Sequence, residues 1–72
     1  MSDYIIWVDR AKDNTEKWGE QDIPTLLLAM QEELGELTRA YLQYMQEDAD
    51  YEHIREELND LAPLMFQLEQ IL

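Results

Sequence analysis

The sequence predicts an all-α fold: an antiparallel helical hairpin with a further N-terminal helix, completed as a four-helix-bundle-like core by oligomerisation. Three observations predict it. Apolar residues recur at helical spacing along most of the chain. Stop and start signals near residues 19–24 and 47–50 divide that pattern into three stretches. Finally, EELGEL at 32–37 returns as EELNDL at 56–61, with leucines and carboxylates in matching places. The 72 residues, 1–72, make a single domain, near the size where one chain buries too little surface to be comfortably stable. No cysteine is present to staple it, so association of copies is the common remedy left.

Ser2 is placed to cap the first helix, which the spacing of Tyr4, Val8, Ala11 and Trp18 predicts over about residues 3–18. Gly19 stops it. After a short connection, Asp22 or Ile23 caps the second helix, and Pro24 falls in its first turn, where a missing N–H does no harm. Leu27, Met30, Leu34, Leu37, Tyr41 and Tyr44 carry its apolar stripe to about Gln46. Gly35, inside this helix, is read either as simple tolerance at a cost near 1 kcal/mol, or as room for a helix or ligand beside Glu36. Residues 47–50 form the second connection, and Asp50 caps a third helix running toward Leu72. Pro63 is expected to interrupt and kink that helix, because it removes the bond to the carbonyl of Asn59. Leu28, Leu42 and Phe66 lie off the main stripes and leave a second apolar surface, which fits a homodimer or homotetramer.

Seventeen acidic residues against five basic ones give a net charge of −12. Phosphate backbones need basic patches, so nucleic acid is excluded as a partner. Three readings account for the charge: metal ligands that a cation would neutralise, a surface suited to high salt, and ordinary solubility. The longest apolar runs, 4–8 and 26–30, are far short of a membrane span. The start, MSDYIIWVDR, lacks the basic opening and small-residue cleavage site of a signal peptide. A soluble, cytoplasmic protein is expected.

The acidic pairs carry the chemistry. Glu33 with Glu36 and Glu57 with Asp60 are each three residues apart, so each pair lies about one helical turn apart on one surface. At about 100° per residue, Glu33 falls among Leu26, Met30, Leu34 and Leu37, and Glu57 falls among Ile54, Leu58, Leu61 and Leu64. A carboxylate on the core side of a helix is costly unless paired or metal-bound. In an antiparallel hairpin both pairs reach similar heights, so four carboxylates converge between two helices. Oxygen ligands without thiolates suit a hard cation, Mg²⁺ or Mn²⁺, which can orient an anionic substrate and activate water. The plainer reading keeps these glutamates at stripe edges, in solvent.

EExxE at residues 32–36, followed by ExxD at 57–60, resembles the signature of the MazG-like all-α nucleoside-triphosphate pyrophosphohydrolases. The approach PTLLLAMQEELGEL from Pro24, with Trp18 before it, is similar to the branch that includes the dCTP pyrophosphatases. The resemblance covers about residues 15–70. It implies hydrolysis of a (d)NTP between its α- and β-phosphates, with Glu33, Glu36, Glu57 and Asp60 as Mg²⁺ ligands. It further implies Glu32 as the water-activating base or an outer ligand, and Trp18 as a ring stacking on the base. Lys17, Lys12 and Arg39 are the phosphate partners on offer, and Tyr44 is a further nucleotide contact. His53 shares a face with Glu57 and Asp60 and is expected to support them from behind. Two alternatives stay open: a non-catalytic metal- or nucleotide-binding member of the same fold, and a phosphoribosyl-ATP pyrophosphohydrolase.

Overall fold

The computed structural model describes residues 4–47 and 49–72. They form three helices and no strand: α1 (Tyr4–Trp18), α2 (Ile23–Glu47) and α3 (Glu52–Ile71). Ser2, Asp3 and Asp48 lie outside the described residues, and with them the expected cap of α1.

Local chemistry sets the helix ends. Gly19 takes φ +79°, the left-handed conformation glycine adopts without steric cost, and its N–H closes α1 on the Thr15 carbonyl at 2.8 Å. Asp22 is the residue that caps α2. Its Oδ1 accepts the Thr25 N–H at 2.9 Å, and its carbonyl accepts the Leu26 N–H. That bonding holds the Asp22 carboxyl below its ordinary pKa of 3.8. Asp50 does similar work for α3, accepting the Glu52 N–H at 3.0 Å on its side chain and the His53 N–H on its carbonyl.

The two long helices form the expected antiparallel hairpin. Tyr44 meets Tyr51 edge to face at 5.5 Å beside the turn, Glu33 lies opposite Glu57 and Asp60, and Gln21 reaches Gln67 at the far end. The surprise is the place of α1. It packs on α3 alone, and no Cα of α1 comes within 8 Å of one in α2. So α3 lies in the middle of a three-helix layer. Its centre line is made of small or compact groups: Ala11, Ala40, Ala62 and Pro63 are buried together with Leu26. Gln67 is buried too, satisfied by Asn14 at 2.8 Å and Gln21 at 3.4 Å.

Pro63 does not interrupt α3, which continues through it to Ile71. The reason lies on α1. Proline leaves the Asn59 carbonyl without its helical donor, and Arg10 Nη1 donates to that oxygen at 3.1 Å. A donor from the neighbouring helix thus replaces the missing N–H. At Gly35, a Cβ would meet nothing within 4 Å, so none of the described residues uses the absence of a side chain there. No helix among the described residues is long and apolar enough to cross a membrane.

Candidate metal centre

The hairpin brings three of the expected carboxylates together. Glu33 from α2 and Glu57 and Asp60 from α3 each offer an oxygen, and these oxygens lie within 4.8 Å of one another. The cause is the matched spacing: each residue sits at the inner edge of its helix where the antiparallel partner is at the same height. Glu57 is the most enclosed of the α3 pair, with 15% of its side chain exposed, whereas Asp60 keeps 53%. Partial burial first, then repulsion from Asp60, Glu57, Glu36 and Glu32, pushes the Glu33 carboxyl above its ordinary pKa. Among the described residues, none of the ion pairs found, Arg10–Asp60, His53–Glu56 and His53–Glu57, involves Glu33.

Glu36, expected as a fourth ligand, does not join that group; it is exposed one turn along α2 and acts on Glu33 only through its charge. On a helical wheel it stands about 60° off Glu33, away from α3. Glu32 is likewise exposed and adds to the same repulsion. His53 does reach the cluster: its Nε2 lies 3.7 Å from Glu57 Oε1, while Nδ1 lies 3.5 Å from Glu56 Oε1.

Two residues of α1 that sequence reasoning missed frame the site. Arg10 Nη1 lies 3.4 Å from Asp60 Oδ1 while also held by the Asn59 carbonyl, and Trp7 Nε1 donates to Asn59 Oδ1 at 2.7 Å. A signal was available: a proline four residues after Asn59 frees a carbonyl, and that carbonyl calls for a donor from elsewhere.

The nucleotide contacts implied by resemblance are not gathered at the carboxylates. Lys17 and Trp18 end α1, roughly 11–12 Å beyond Arg10 at 1.5 Å per residue, and the Lys17 ammonium sits 5.3 Å from the exposed Trp18 ring. Tyr44 clasps Tyr51 at the hairpin turn, roughly 16 Å along α2 from Glu33. Arg39 is exposed, and neither it nor Lys17 or Lys12 forms an ion pair with the cluster. Lys12 instead lines a groove of about 840 Å³ between α1 and α3, beside Tyr4, Val8 and Phe66, which none of the three carboxylates lines.

The donor set fits a hard divalent cation. It consists of oxygens only, it draws from two helices, and one member is partly buried against like charges. No protein-family model, curated protein or solved structure matched this chain.

Proposed function

We propose that this chain is a Mg²⁺-dependent nucleoside-triphosphate pyrophosphohydrolase, converting a (d)NTP and water to the monophosphate and pyrophosphate in a nucleotide-pool housecleaning role. The observation that carries this reading is the meeting of Glu33, Glu57 and Asp60 between two helices. The resemblance of EExxE and ExxD to the MazG-like pattern supplies the reaction.

Glu33, Glu57 and Asp60 would hold Mg²⁺, or Mn²⁺ in its place, with Glu36 as an outer ligand one turn away. When bound, the cation supplies the positive charge that offsets both the carboxylates and a triphosphate. His53 steadies the Glu57 carboxylate from its own helix. Glu32, exposed next to Glu33, accepts the proton of the attacking water as its oxygen bonds to phosphorus and the α–β bridging bond breaks. Arg10, fixed at the rim by the Asn59 carbonyl, is the nearest guanidinium to a phosphate chain seated there. A cytoplasmic location belongs to the same reading, and so does self-assembly as a homodimer or homotetramer.

A second reading has a specific observation behind it. Lys17, Trp18, Arg39 and Tyr44 stand apart from the carboxylates within one chain, which favours a member that binds metal or nucleotide without turnover. Pyrophosphate release from a panel of canonical and modified (d)NTPs and phosphoribosyl-ATP, with Mg²⁺ or Mn²⁺, separates the two. The enzyme reading expects metal-dependent release with the matching monophosphate, abolished by Glu57→Gln. Silence across the panel from folded protein contradicts it and leaves the binding reading.

A further inference from the structure

Arg10 puts a positive charge against one of the three carboxylates. Its Nη1 lies 3.4 Å from Asp60 Oδ1, and Asp60 is also the carboxylate that meets Glu33 and Glu57. An arginine in an exposed pair ordinarily swings aside at little cost. This one is held. The same Nη1 donates at 3.1 Å to the Asn59 carbonyl, which Pro63 has deprived of its helical donor. The backbone that carries Arg10 is fixed on both sides as well. One turn before it, Trp7 Nε1 donates to Asn59 Oδ1 at 2.7 Å; one turn after it, Asn14 donates to buried Gln67 at 2.8 Å.

A cation on the three carboxylates therefore shares Asp60 with a tethered guanidinium, whichever Asp60 oxygen it takes. Two positive charges that close repel. Moving Arg10 away relieves the repulsion only by giving up the bond to the Asn59 carbonyl. An anion lying across both charges relieves it without that loss. Among the described residues none accepts from Arg10 Nε or Nη2, so that edge of the guanidinium is left to fork onto phosphate oxygens. Arg10 and Asp60 are each about half exposed, which leaves a phosphate chain room to reach them.

We propose that Arg10 is a fixed positive charge that makes this site favour a cation carried by a phosphate chain over the bare cation. The inference rests on the carboxylates holding a cation, as proposed above. It adds the residue that decides what the cation must bring with it, and it assigns Pro63 the part of keeping that residue in place.

Calorimetric titration of the full chain tests this with two probes, Mn²⁺ alone and the Mn²⁺ complex of inorganic tripolyphosphate. In dilute buffer, Arg10→Gln should bind bare Mn²⁺ roughly threefold to tenfold more tightly, and the tripolyphosphate complex more weakly by a similar factor. Opposite signs separate this role from a structural one, because a loosened α1 would weaken both. Added KCl should narrow the difference for bare Mn²⁺. Pro63→Ala alters no charge, but it returns an N–H to the Asn59 carbonyl and lets Arg10 swing away. It should tighten bare Mn²⁺ by about twofold, and it carries the test should Arg10→Gln fail to fold. If wild type binds Mn²⁺ and neither variant binds it more tightly, the inference is overturned and the cation site stands. A tripolyphosphate affinity that Arg10→Gln leaves unchanged overturns it too. Wild type that binds no Mn²⁺ overturns the inference together with the reading beneath it.

Discussion

Glu33 is the residue on which the site's energetics turn. Its folded pKa is raised above the ordinary 4.5 by partial burial and then by four negative neighbours. A raised carboxyl favours its protonated form in the folded state. The stability it contributes is full below the ordinary value and is lost as pH rises through the raised folded value. Without divalent cations, Glu33→Gln should therefore raise the melting temperature near pH 7 and flatten the fall in stability as pH rises above the ordinary 4.5. Superimposable pH–stability curves for the two proteins in EDTA would contradict this account of Glu33. Asp22 has the opposite sign: its lowered pKa gives stability above the ordinary 3.8 that disappears as pH falls through the folded value. Gly35 supplies a simpler prediction. With open space where a Cβ would stand, Gly35→Ala should add about 1 kcal/mol of helix stability, read from the urea midpoint. Either an unchanged or a lowered midpoint would contradict open space at that position.

Among the elements, α2 and α3 were legible in the sequence and the docking of α1 was not. Helix ends follow from residues acting over one turn, so Gly19, Asp22 and Asp50 mark them without knowledge of the rest of the fold. Where α1 packs depends on bonds spanning some fifty positions, from Trp7 and Arg10 to Asn59 and Asp60. Local periodicity carries no information about such pairings. The trace it left was Pro63, which reads from sequence as a break in α3. In the fold it exposes the carbonyl that fastens α1. This link makes a double-mutant prediction. Arg10→Ala should cost on the order of 1 kcal/mol by leaving the Asn59 carbonyl without a donor, because the exposed pair with Asp60 contributes little in solvent. Pro63→Ala made in that background returns the helical N–H and should recover part of the loss. Strictly additive urea stabilities would show that Arg10 and Pro63 do not share the carbonyl.

At the scale of the whole molecule, three helices lie in one layer, with α3 between α1 and α2 and three carboxylates gathered where α2 meets α3. The echo of EELGEL in EELNDL foretold the acidic meeting because antiparallel packing turns equal spacing into equal height. It overstated the set, since Glu36 stands off the inner edge, and the contacts implied for a nucleotide fall toward the ends of α1 and α2. The central claim is that Glu33, Glu57 and Asp60 hold a divalent cation, and thermal unfolding with and without that cation tests it most directly. An ion bound only by the folded state at 100 times its dissociation constant stabilises by about 2.7 kcal/mol, which for a domain this small raises the melting temperature by roughly 10–20 °C. The account predicts a rise of that size for wild type in saturating Mn²⁺ or Mg²⁺, and little or none for Glu33→Gln or Glu57→Gln. A wild type whose melting temperature does not move, or variants that gain as much as wild type, would contradict it.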